Sequence, residues 1–466
     1  MSGNTVAGPV TTNADGTYTI DVPDSALSSD LVVKSNGGIF DDEATDALGV
    51  GTAAGALSAF VESGSLAAGV SVHVTPSTTI HAGLVTQHGK TALAAKTAVF
   101  NAFAYNPDTS VQPVDITEPE ALTASDASRL AGYRAAVFSQ LAQNLGLSAA
   151  QQFDLFAALA QDLSDDVLDG VDASGAVAIG STGTFLPADI LSQYISTAAS
   201  FTEAETANYR ISYSASGMTT HGKEKFTLTI TDLAGAPVTG LVLDGRLSVM
   251  PMMYMADLMH STPLYGIEEL ANPGEYEVTL FYLMPSRMMD GTTMGTWSQK
   301  VMIDMESAFF YPNVMMAMGD TVRVQLKGVD DTIIDMNGLE VGRTYNLFKD
   351  SLTGDNTFEI FIAPIETMLS FPPLVVGDTL ESGMGGTPYD VTSVAVDVSV
   401  NGGPWMLNHG TDNGDGTWTL DGLGLNSGEN ELRVRLTVSS EIKTTNALPA
   451  ETDVNDFATF TVTVGP

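Results

Sequence analysis

The spacing of apolar residues changes once along this 466-residue chain, near residue 207, and that change limits its fold more than any overall figure. Before it, apolar side chains recur three and four apart, as on one face of a helix; after it they alternate, as on a half-buried strand. Ser125-Asp126-Ala127-Ser128 can cap a helix in which Leu130, Tyr133, Val137, Leu141 and Leu145 form the buried stripe and Gly146 supplies the stop. Ser148 begins a second, with Phe153, Phe156, Leu159 and Leu163 on one face and Asp165-Asp166 at its end. Ala92 to Tyr105 and Pro187 to Ala199 predict two more, and residues 72–79 read as extended chain entering a helix capped near Thr78 or Thr79. Beyond 207, Phe226 to Thr231, Tyr276 to Phe281, Ser298 to Ile303, Thr321 to Leu326, Phe358 to Ile362, Val394 to Val400, Glu431 to Val438 and Thr459 to Val464 read as short strands between Gly, Pro and Asp turns.

The N-terminal stretch adds a turn, Asn13-Ala14-Asp15-Gly16, before a β-branched and aromatic run, Thr17 to Val22. The expected fold class is therefore multidomain α+β. A small N-terminal β module occupies 1–43 and a mainly helical domain 44–206. Three immunoglobulin-like β-sandwich modules follow, at 207–306, 307–390 and 391–466. So many residues exceed one hydrophobic core, which favours several domains.

Charge removes whole classes of function. Lys and Arg number 18 against 56 Asp and Glu, a formal net charge of −38 that repels phosphate backbones and anionic headgroups. No nucleic-acid partner is expected. The chain has no cysteine, so disulfides, zinc–thiolate sites, iron–sulfur clusters and thiol nucleophiles are excluded. No apolar run reaches the ~20 residues of a membrane helix, so no transmembrane segment is expected. With 45 Gly, few Lys and strand-rich halves, the composition suits an extracytoplasmic protein of the periplasm or cell surface; a lipid anchor before processing or truncation is what the resemblances given below imply. There is no His-Glu-x-x-His, no phosphate-binding Gly-Lys-Ser and no Gly-x-Ser-x-Gly, and the expectation is a protein that is not an enzyme. The acidic pairs Asp41-Asp42, Asp165-Asp166 and Asp330-Asp331 read as helix-end or solvated charge.

Methionine breaks this even picture. Fourteen of the 20 lie between residues 250 and 318. Thioethers are soft, neutral donors that need no deprotonation, so clustered Met with a His suits Cu(I), whereas zinc wants harder or anionic donors. On a strand through Val249 to Tyr254, Met250 and Met252 fall on one face and Met253 and Met255 on the other, with Met259-His260 following in a short loop. Met284 ends the next strand, and Met288, Met289 and Met294 lie in the connection before Trp297. The competing reading is packing: Met fills irregular cores beside aromatic rings such as Tyr254, Tyr282 and Phe310.

The order Phe226-x-Leu-x-Ile-x-Asp232-x-x-Gly235-x-Pro237, then Val249-Met250-Pro251-Met252-Met253-x-Met255-x-x-x-Met259-His260, then Pro273-Gly274-x-Tyr276, Met284-Pro285 and Gly295-Thr296-Trp297 resembles the YtkA-like (FixH-like) domain over residues 211–305. That family is a small immunoglobulin-like sandwich of exported or anchored bacterial proteins often linked to copper. Carried over by position, the resemblance implies ligands at Met252, Met253, Met255, Met259, His260 and Met284. This sequence departs from the pattern in placing Met259 beside His260 and in inserting residues 286–293. The N-terminus resembles carboxypeptidase-regulatory-like modules, and the C-terminal segment bacterial Ig-like modules. The expectation is an exported, surface-associated protein of multidomain lipoprotein type that binds copper, preferably Cu(I), for delivery, storage or detoxification, with a cuproprotein or cytochrome partner or self-association. The alternative is a structural or filament-forming surface protein of stacked β modules, the methionines serving as core or interface.

Overall fold

The computed structural model describes residues 4–13, 16–45, 47–51, 54–67, 69–367 and 370–465. The chain forms two compact units, Met1–Phe201 and Thr202–Pro466.

The first unit carries the helices: Pro76–Thr86, Ala92–Phe103, Asp126–Asn144, Gln152–Asp162 and Ile190–Ala199. Ser125 caps the longest as expected, its hydroxyl accepting from the Ser128 N–H. The first helix is capped one turn earlier than expected. Thr75 is its N-cap and Pro76 its first residue, where a missing N–H costs nothing. Phe103, Phe138, Phe156 and Tyr194 meet edge-on or tilted at 4.8–5.9 Å and form the centre of this interior. Gly132 is obligatory there, because a Cβ would lie 1.9 Å from the Val114 carbonyl oxygen.

Two expectations for the N-terminal part fail. Residues 17–22 form no strand; the turn closes through Asn13 N–H to Thr17 O at 2.7 Å, its Ala14 and Asp15 lying outside the described residues. Nor is 1–43 a separate module, since Leu31–Asn36 pairs with Ala54–Val61 and Ile39–Asp42 with Ala47–Gly51 across that boundary. Asp42, expected in solvent, is buried and accepts from Ser139, Gln152 and Thr45.

The second unit contains two sandwiches. The first joins a four-stranded sheet, ordered Met259–Ser261, Leu247–Tyr254, Thr296–Ile303, Glu306–Phe310, to a five-stranded one, ordered Leu264–Glu269, Glu275–Tyr282, Gly222–Asp232, Tyr209–Ala215, Glu203–Glu205. Their inner faces share one core around Leu228, Val278, Leu280, Trp297 and Val301.

The remaining chain forms one sandwich where two were expected. Strands Arg323–Ile334, Glu340–Thr353 and Thr357–Pro364 continue in the same sheet into Thr417–Leu420 and Gly410–Asp412. The facing sheet is built on Gly428–Val438, flanked by Val394–Val400 and Ala458–Val464. One core from Leu326 to Val462 fills the space between, so 307–390 and 391–466 cannot each close alone.

The two sandwiches lock through the outer faces of their sheets. Phe281 stacks on Phe361 at 4.4 Å and 9°, with Leu283, Phe348, Ala363 and Phe371 completing a separate apolar cluster. Lys223 pairs with Asp350 at 2.6 Å beside it.

Candidate metal centre

Antiparallel pairing places residues directly opposite one another on the same face. Met253 lies opposite His260 on one side and Trp297 on the other, so thioether, imidazole and indole form a single row across three strands, facing the core. Met253 and Trp297 are fully buried and His260 is 9% exposed. The rings of His260 and Trp297 meet edge to face at 5.4 Å. The indole N–H donates to the Met284 carbonyl at 3.0 Å, which ties the end of Glu275–Tyr282, a strand of the facing sheet, to this row. Met255, Met284 and Met294 are partly buried and pack against the same core.

The imidazole is held in one tautomer. Its Nδ1 lies 2.7 Å from the Ser261 carbonyl, which can only accept, so Nδ1 carries the proton and donates. Nε2 is then a bare lone pair, buried with no hydrogen-bond partner among the described residues. Burial lowers the His260 pKa below its ordinary 6.5, the Ser261 bond opposes this, and the nearby Arg323 charge lowers it further. A neutral ring whose other nitrogen is fixed by a backbone carbonyl is the form in which His ligates metals.

The other expected ligands are not brought here. Met252 lies opposite Ser261 and Ser298, and Met259 opposite Tyr254, which turns both to the far face of the sheet. Neighbours on a strand point to opposite sides, so neither Met252 with Met253 nor Met259 with His260 can share a site. Met288 and Met289 sit in a turn closed by Gly291 N–H to Met288 O at 3.0 Å and are exposed, Met289 by 72%. Of the expected ligands, Met253 alone shares the row with His260, while Met255, Met284 and Met294 pack elsewhere against the same core.

Arg323 was not foreseen. No ion pair to it is found among the described residues, and burial pushes its pKa down to about 10. Its charge lowers both His260 and His221, whose Nδ1 accepts the Ala317 N–H at 2.9 Å. Among the described residues, no group of three or more His, Asp or Glu converges as a metal site. The Met253–His260 row is thus uncharged and lies under the influence of a positive charge, Arg323, an arrangement that disfavours divalent ions more strongly than monovalent ones.

The second feature missing from the sequence reading is Asp331. Expected in solvent beside Asp330, it is fully buried with Arg343 and Lys443. A bulge between Lys327 and Thr332 turns it inward.

No protein-family model matches the chain, and no curated protein matches it. Among solved structures, it is similar to InvD of Yersinia pseudotuberculosis, at 16% identity over 55% of this chain and 57% of that one, TM-score 0.16. Invasin, a bacterial integrin-binding protein, is similar at 13% identity over 51% and 39%, TM-score 0.18. Domains 5–6 of the S-layer protein SbsC are similar at 16% identity over 55% and 96%, TM-score 0.16. The aligned parts span little more than half of InvD and under half of invasin.

Proposed function

We propose that the chain is a non-enzymatic structural component of an exported surface assembly, in which two β-sandwiches act as one stiff spacer. The observation that carries this reading is the apolar joint between them. Phe281 and Phe361 stack with their planes parallel to within 9°, Phe348 and Leu283 close around them, and the Lys223–Asp350 pair braces the edge. Aromatic burial of this kind resists hinge motion, because opening it exposes large rings to water. The acidic surface suits a solvated extracellular face and repels other polyanions.

The absence of cysteine makes the test direct. Spin labels on Thr229→Cys and Glu429→Cys, one on each sandwich, report their separation by pulsed electron resonance. A single narrow distance is expected, and a broad distribution in the otherwise unaltered chain would refute the spacer.

A second reading has its own observation, the bare Nε2 of His260. We infer that this nitrogen, with thioethers from among Met253, Met255, Met284 and Met294, takes a Cu(I) ion, a neutral donor set for a soft monovalent cation. Anaerobic titration against a competing chelator tests it. His260→Gln is expected to lose the tightest equivalent, and equal uptake by both chains ends the copper reading while leaving the spacer standing.

A further inference from the structure

The second sandwich buries four charged side chains in one cluster. Asp331, Arg343 and Lys443 have no exposed side-chain surface, and Glu441 is 14% exposed. Arg343 Nε donates to Asp331 Oδ1 at 2.9 Å, and the Tyr345 hydroxyl donates to Oδ2 at 2.5 Å. Lys443 Nζ faces that same Oδ2 at 3.4 Å, longer than a charge-assisted hydrogen bond, and is closer to Glu441 Oε2 at 3.1 Å. The aromatic faces of Tyr345 and Tyr389 lie 4.9 and 4.6 Å from Nζ. The backbone N–H groups of Val329 and Asp331 hold the Glu441 carboxylate, so the bulge that aims Asp331 also aims Glu441.

This is more than an ion pair needs. The amine is presented to a carboxyl group whose two oxygens are already held by other donors, and a carboxylate waits on the far side of the amine. Burial drives Lys443 toward its uncharged, nucleophilic form, against the pull of Asp331 and Glu441.

We propose that Lys443 and Asp331 condense within the folded sandwich into an isopeptide bond, with Glu441 as the catalytic base. Glu441 takes one proton from the Lys443 ammonium, and the free amine attacks Asp331 Cγ, forming the C–N bond. The negative charge that develops on Oδ1 is held by Arg343 Nε–H, a donor already in place. Tyr345 supports Oδ2 as the leaving group. The proton on Glu441 and a second from the nitrogen pass to Oδ2, the C–O bond breaks, and one water departs. No oxidant or co-reactant is needed. Charge also balances on both sides of the step. Two cations and two anions occupy the cluster before it, and Arg343 with Glu441 remain after it, so no buried charge is orphaned. The bond ties the bulged strand to the residue that follows the short strand Glu441–Ile442, and it stands independently of the spacer and copper readings.

Intact mass spectrometry of the full chain, purified folded, is the test. The expected mass is one water below that of the sequence, with a branched tryptic peptide joining residues 328–343 to 436–466. Glu441→Gln is expected to keep the full mass while giving the same circular dichroism. A wild-type chain at full sequence mass, or a water loss that maps to another residue pair, overturns the bond; a loss retained in folded Glu441→Gln overturns the role of Glu441.

Discussion

The two sandwiches each enclose polar groups, and they do so in opposite ways. In the first, His260 brings one unmatched lone pair into a row of thioether and indole, with a guanidinium charge nearby. In the second, Asp331, Arg343, Lys443 and Glu441 fill one another's needs almost completely. A buried group left open is a place for something to bind, and a buried group fully surrounded is a place where the chain acts on itself.

The largest break in this contrast is expected from Asp331→Ala. It leaves Arg343 buried without its anion and Lys443 with Glu441 alone, a loss of about 3–5 kcal/mol. With the covalent tie, whose ends lie 112 positions apart, a further ~4–5 kcal/mol of loop constraint is lost. Urea denaturation of the second unit reads both, and the two variants Asp331→Ala and Glu441→Gln separate them. Next comes Met253→Ala, which empties a fully buried site in the first core and should cost about 2–5 kcal/mol by thermal unfolding.

A smaller effect tests the electrostatics of the open site. Arg323→Gln removes the nearby positive charge and should tighten Cu(I) binding about tenfold, roughly the 1–2 kcal/mol that a neighbouring unit charge exerts at a protein-like dielectric. A chelator competition that gives unchanged affinity would place the ion elsewhere. The pH response comes next. An imidazole held neutral by burial takes its proton less readily than in the unfolded chain, so acidification below 6.5 favours unfolding and stability rises with pH up to that value. His260→Gln should flatten this slope in denaturant midpoints measured across the window, leaving the shares of His73, His81, His88 and His221, which burial lowers as well. Least of all, Met259→Ala and Met289→Ala should stay within about 0.5 kcal/mol of the parent, since both side chains lie in solvent.

What could be read in the sequence was local. The Ser125 cap, the Gly146 stop and the helix between them are set by neighbours within a few residues. The alternation through Leu247 to Tyr254 was equally plain, and it already divided Met252 from Met253. Pairing over long distances was not legible. Nothing near Phe361 announces that Thr417 will lie beside it, so one sandwich looked like two. Asp331 was hidden for a related reason. Asp330 and Asp331 look alike in sequence, and only the unpaired residues of the bulge, with Gly328 leaving 2.1 Å between a would-be Cβ and the Asp331 carbonyl, decide which one turns inward. The imidazole at 260 drew notice because its neighbours in sequence were conspicuous, whereas the charge of Arg323 acts on it from another sandwich.

The strand order carries a consequence for the order of events during synthesis. The first sandwich has all its strands once Glu306–Phe310 has been made, and can close while the rest of the chain is still being produced. The second cannot, because its final strand, Ala458–Val464, pairs along the middle of Gly428–Val438 and supplies Phe460 and Val462 to the interior. A chain cut short before Ala458 therefore carries one finished sandwich and one left ajar, its oily lining offered to whatever quality-control machinery is near.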